Sequence, residues 1–219
     1  MSAFLGPIHH WLYNKVILFE RLEKDILEGL IAEVGEEASE LYDKARENHG
    51  DPLNPDIPLE ELIDTENIHG WLQTQIQKAE TRHAEFLNQA FQKFNEEAVE
   101  VAREFYAKQG KFCGEQSESH AKPQNAQDLY QEINNYVLDG MPCDQANQLV
   151  VNEEDLVKWE VTQCLHVGYW KKVGADPNKF YKLRETWLDA FVAYANNDYE
   201  YRFSNDNGTL KHLIQRVRD

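Results

Sequence analysis

Residues 8–12 read IHHWL, residues 68–72 read IHGWL, and the match runs on without a gap at a shift of sixty positions. Ile8, His9, Trp11, Leu12, Glu20, Leu27, Glu36, Glu37, Ala38, Glu40 and Gly50 correspond to Ile68, His69, Trp71, Leu72, Glu80, Leu87, Glu96, Glu97, Ala98, Glu100 and Gly110. Helical periodicity alone reproduces leucines and alanines. It does not reproduce histidine, tryptophan and paired glutamates in register. The pattern reads as an internal duplication of a long helix with its closing turn, with repeats at 7–50 and 67–110.

Each copy carries one apolar stripe. Pro7 suits an opening helical turn, where its missing N–H has no partner to lose. From there Ile8, Leu12, Val16, Phe19, Leu22, Ile26, Leu30, Val34, Ala38, Leu41 and Ala45 recur at gaps of three and four. Gly50 is the expected stop, and Gly29 and Gly35 are the places where the helix is expected to bend or break. The second copy opens at Thr65 or Asn67, both good caps. Its stripe is Ile68, Leu72, Ile76, Ala79, Phe86, Ala90, Phe94, Ala98, Val101 and Phe105, and it is expected to stop at Gly110. Between the copies lies GDPLNPDIPLEELIDTE, extended by three prolines, with a short helix expected at 58–63. A short linker favours antiparallel neighbours. That arrangement would level Glu20 with Glu96 and Glu80 with Glu36, and would send His9 and His69 to opposite ends.

The second half changes character. Residues 110–125 read as a polar loop and 126–139 as a helix. In QLVVNEEDLVKWEVTQC, Val151 and the alternation Val157, Trp159, Val161 fit two strands around NEED, although a helix over 153–173 also fits a loose stripe. The hairpin, followed by a helix from about residue 163, is the expectation taken. DPNKFYKLRETWLDAFVAYAN has Asp176 as a cap, Pro177 in the first turn and an apolar face of Phe180, Leu183, Trp187, Ala190, Phe191 and Tyr194. YEYRF suggests a strand, and TLKHLIQRVR a final amphipathic piece. The fold class expected is mainly α. A duplicated long-helix hairpin in a helical bundle, residues 1–110, carries a smaller C-terminal α+β part, residues 126–219, packed on it as one unit.

The chain has 39 acidic residues against 22 basic ones, a net charge of -17. A field of that sign repels phosphate backbones and anionic lipid, so no nucleic-acid or membrane partner is expected. No apolar run of about 18 residues is present, and no secretory signal opens the sequence. The cysteines, Cys113, Cys143 and Cys164, are odd in number and form no CxxC pair. No disulfide framework follows, and a reducing cytoplasm is the expected location.

Several side chains could carry chemistry. His9, His10 and His69 stand at helix starts, where the positive dipole end keeps imidazoles neutral and fit to bind metal; wedging beside Trp11 and Trp71 is the plainer role. Glu80 and His83 form an E-x-x-H pair, half of a di-iron carboxylate site, with Glu20, Glu36 and Glu96 as further carboxylates. The first copy offers Glu20 and Glu23 at the matching positions instead of a second E-x-x-H. The metal set is therefore His9, His10, His69, Glu20, Glu80 and His83, for iron or zinc. The runs Glu36, Glu37, Glu40 and Glu96, Glu97, Glu100 read either as a cation site or as solvated acidic faces. In CLHVGYW, Cys164 at a helix start suits a nucleophile, with His166 as its base, or a buried core thiol. Glu160, Arg184, Glu185 and Asp189 are candidate partners.

GPIHHWLYNK and NIHGWLQ resemble stretches of a family of bacterial proteins, mainly from anaerobes, to which no activity is attached. The resemblance spans most of the chain, including CLHVGYW and RETWLDAF. The second half, in its layout and in VTQC, also resembles the 2-amino-thiazoline-4-carboxylate hydrolase group, although that group's later Cys and Asp signature is absent. Three functions stand as expectations: a cytosolic protein binding a metal or small ligand through His and Glu; a hydrolase of a small amide or cyclic substrate using Cys164 and His166; and an interaction module, a homodimer burying its aromatic stripes.

Overall fold

A computed structural model describes residues 5–141, 144–206 and 208–217. Cys143 lies outside them. The elements are α1 (Pro7–Val34), α2 (Glu37–His49), α3 (Leu59–Leu62), α4 (Ile68–Phe94), α5 (Glu96–His120), α6 (Ala126–Tyr136), β1 (Asn147–Glu153), β2 (Leu156–Val161), α7 (Val167–Lys172), α8 (Pro177–Ala195), β3 (Tyr199–Asp206) and β4 (Thr209–Arg216). The protein is mainly helical with a C-terminal antiparallel sheet, as its patterning requires. Among the described residues no helix is long and apolar enough to cross a membrane. The chain forms two compact units, residues 1–101 with 166–176, and residues 102–165 with 177–219.

In the first unit, the expected long helix breaks once, at Gly35 and not at Gly29. Gly35 takes φ 87°, a left-handed conformation that closes α1 by donating its N–H to Ile31 O at 3.0 Å. Asn95, sixty positions on, takes φ 52° between α4 and α5. The stripes go where their periodicity sends them. Val16, Ile26, Leu30, Ala38 and Ala45 from α1 and α2, and Ala79, Phe86, Leu87 and Ala90 from α4, are fully buried, whereas Ile8 at the start of α1 is 51% exposed. Asn67 caps α4 by accepting from Gly70 N at 3.1 Å.

The break at Gly35 overturns the antiparallel expectation. α2 folds back along α1, with Tyr42 meeting Glu23, so the chain returns to the end where it started. α4 therefore restarts at that end and runs parallel to α1. His9 and His69 lie together, ring centroids 5.8 Å apart, and Arg82 meets Glu20 and Glu23. Glu36, Glu37, Glu40, Glu96, Glu97 and Glu100 are all exposed, as solvated acidic faces.

In the second unit the sheet has the order β1-β2-β4-β3, antiparallel throughout. The expected hairpin around NEED is β1–β2, and YEYRF lies in β3. TLKHLIQRVR supplies the interior strand β4, which pairs Trp159 with His212 on one side and Phe203 with His212 on the other. One face buries Val157, Trp159, Tyr199, Tyr201, Leu210 and Ile214. The helix expected from residue 163 begins only at Val167. The polar loop expected over 110–125 is helix as far as His120. Gly110 does not stop α5. A Cβ there would sit 2.3 Å from Trp187 O, and one at Gly114 would sit 2.5 Å from Phe191 O. The two glycines bring α5 against α8, and that close contact overrides their poor helix propensity.

Candidate functional site

Ionisable residues are buried along the seam between α1 and α4. The parallel register brings Glu20 and Glu23, one turn apart on α1, to Arg82 on α4. Arg82, fully buried, donates from Nε to Glu23 Oε1 and from Nη2 to Glu20 Oε1, both at 2.7 Å, and from Nη1 to Gly50 O at 3.0 Å. Glu20 Oε2 accepts from Leu53 N at 2.9 Å, and the Tyr42 hydroxyl donates to Glu23 Oε1 at 3.2 Å. The second oxygen of Glu23 has no hydrogen-bond partner among the described residues and lies 3.8 Å from His83 Nδ1. The His83 ring packs on Phe19, centroids 4.7 Å apart.

Burial sets the protonation of this seam. It raises the Glu23 carboxyl to about 7 despite Arg82, and it lowers His83 to about 3, with the Arg82 charge adding to the effect. Burial also raises Glu20 against the pull of Arg82. Burial works against the Arg82 cation too, but its two carboxylates outweigh that and shift it upward. Near neutral pH, His83 is a neutral ring and the guanidinium is the charge the carboxylates face.

The metal set is not brought to one centre. Among the described residues no three His, Cys, Asp or Glu side chains are placed to hold a metal ion. Glu20 is held by Arg82. Glu80 accepts from His166 Nδ1 at 2.8 Å, both nearly buried, with the His166 ring stacked on Trp170. His9 accepts from Gly6 N at 2.9 Å, and His10 lies 3.3 Å from Glu60 at the surface. Cys164 belongs to the second unit and His166 to the first. The half-buried Cys164 accepts from the Tyr181 hydroxyl at 3.2 Å. Among its candidate partners, Arg184 is taken up by Asp139 at 2.8 Å.

No sequence motif marks Arg82, His49 or Glu85. Arg82 had a readable signal, because its counterpart sixty positions earlier is Leu22, a stripe position. His49 and Glu85 had none, since folding alone brings them together. They meet in an open groove of about 740 Å³ lined from α2 by Leu41, Lys44, Asn48 and His49, from α4 by Glu85, Asn88, Gln89, Gln92 and Lys93, and from the end of α7 by Lys172 and Val173. Glu85 Oε1 accepts from Asn48 Nδ2 at 2.8 Å and from Gln89 Nε2 at 2.7 Å, while His49 Nε2 binds Oε2. Asn88 Nδ2 donates to Val173 O at 3.0 Å and ties the far wall to α4. This is a pre-formed polar hollow within the ~300–1,000 Å³ range of small-molecule sites.

Compared with protein-family models, with curated proteins and with solved structures, the chain matches none.

Proposed function

We propose that this is a cytosolic small-molecule-binding protein whose ligand sits in the groove between α2, α4 and α7. The observation that carries the reading is Glu85. Three donors from two helices converge on this one carboxylate inside an open hollow. Polar side chains held by neighbours present fixed groups to a ligand at little entropic cost. The binding histidine and glutamate are then His49 and Glu85, not those of the α1–α4 seam, where Arg82 already neutralises the carboxylates. The same reading takes the two long-helix starts as products of a duplication. It is supported by breaks sixty positions apart at Gly35 and Asn95, and by a burial pattern over residues 32–40 that recurs at 92–100.

A screen of small polar molecules by NMR on the nitrogen-labelled chain tests the proposal. Binders should move the side-chain amide signals of Asn48 and Gln89 together, and Glu85→Gln should weaken them. Hits that move only residues outside the groove, or a screen without binders, would overturn it.

A further inference from the structure

The groove's charge runs against that of the chain. This inference rests on the groove being the ligand site, and concerns what it takes. Acids outnumber bases 39 to 22 over the whole sequence, yet the groove is lined by three lysines and one carboxylate. That carboxylate, Glu85, already accepts three hydrogen bonds. Lys93 shares its charge with Glu37 at 2.7 Å on the rim. Lys44 and Lys172 form no ion pair among the described residues. They line the hollow from different helices, α2 and α7. The negative field of the whole chain opposes any anion at long range, but it is screened over about 8 Å at physiological salt, and within that distance the lysines prevail.

The neutral lining narrows the class further. Asn48, Gln89 and Gln92 each already use an amide hydrogen, on Glu85 or on Asn88, and their carbonyl oxygens remain as acceptors. Acceptors beside cations suit a molecule that carries hydroxyl groups as well as negative charge. No arginine lines the groove. The guanidinium fork matches carboxylate and phosphate alike, whereas each lysine ammonium acts as a point charge, and two of them match the charge of roughly −2 on a phosphate monoester. Leu41 and Val173 are the apolar side chains of the lining, few partners for a fatty or aromatic body.

We propose that the groove binds a phosphorylated polyol of the sugar monophosphate class, with Lys44 and Lys172 on the phosphate and the Asn48, Gln89 and Gln92 oxygens on its hydroxyls. The test is calorimetry and NMR on the full chain with glucose 6-phosphate, glucose, inorganic phosphate and citrate. Glucose 6-phosphate should bind tightest and should move the side-chain amide signals of Asn48, Gln89 and Gln92. Lys44→Met and Lys172→Met lie on the exposed rim and should leave the fold intact. Each should lower that affinity about tenfold or more, the size of one charge-assisted hydrogen bond. If glucose binds as well as its phosphate, the anion inference is overturned while the groove remains a ligand site. If citrate binds best, phosphate is the wrong oxyanion. If none of the four moves the groove's amide signals while a screen hit does, the class is wrong and the site stands.

Discussion

In each unit burial keeps one histidine ring neutral, in contrasting surroundings. His83 lies on the α1–α4 seam beside Arg82 and Glu23, among full charges. His212 lies on the β4 strand among rings. It stacks on Trp159 with centroids 4.8 Å apart and planes within 7°, packs near Phe203 at 5.1 Å, and meets the Tyr201 hydroxyl 2.7 Å from Nδ1. Burial lowers both imidazoles, His83 to about 3 and His212 to about 4, so both rings are neutral near pH 7. The difference lies in what breaks each core. The seam depends on charges that must stay matched, and the sheet core depends on shape and one neutral hydrogen bond.

The largest effect should come from unmatching the seam. Arg82→Met leaves Glu20 and Glu23 buried without their cation and should destabilise the protein by ~3–5 kcal/mol in urea titration. Replacing the whole triad, Arg82→Met with Glu20→Leu and Glu23→Leu, should recover most of that loss. If the triple variant is as unstable as the single one, the loss was packing and the contrast with the sheet core fails. In the second unit volume should matter more than charge. Gly110→Ala drives a methyl into the Trp187 carbonyl and should destabilise by ~1–3 kcal/mol, read by the same titration.

A loss of the same order should follow from His212→Phe, which strands the Tyr201 hydroxyl and should destabilise by ~1–3 kcal/mol. Adding Tyr201→Phe removes the stranded group, and the double variant should be the more stable of the two. The smallest effect is a slope with pH. Glu23 is raised from its ordinary 4.5 to about 7, so the folded chain holds a proton there that the unfolded chain releases. The stability this gives is full below about pH 4.5 and is lost as pH rises through about 7. His83 acts in the opposite sense: its folded value of about 3 lies below the ordinary 6.5, so its share of stability is lost as pH falls from 6.5 toward 3. Of these two groups only Glu23 titrates above pH 6.5, and Glu23→Gln should flatten the decline there, followed by urea midpoint against pH. A slope that survives the substitution would place the proton elsewhere.

The helices, their stripes and the hairpin around NEED were legible because each is written locally, as a period or an alternation. What was not legible lay in how the chain returns on itself after α1. Gly35 was visible as a place to break, but only the break shows that α2 returns along α1 and that α4 restarts at the same end. The antiparallel reading failed for that reason, and Glu20 never comes level with Glu96. Gly110 failed for another: a glycine that ends a helix and one that admits a neighbouring backbone look alike in sequence. The candidate site was the least legible part. His49 and Glu85 are 36 residues apart and belong to no motif. Cys164 and His166, two residues apart, fall to different units, each with its own hydroxyl or carboxylate.

The pairing of β1 with β2 slips between Leu149 and Val151, leaving Val150 as an extra residue 55% exposed. β1 is an edge of the sheet: among the described residues it has no strand partner on its outer side, where Asn152 O accepts from Gln127 Nε2 at 2.9 Å. A bulge kinks that edge and makes it a poor template for another chain's strand. The irregularity guards this end of the sheet against the runaway strand addition that starts fibrils. Straightening it by deleting Val150 should make the protein prone to aggregate even if its fold survives.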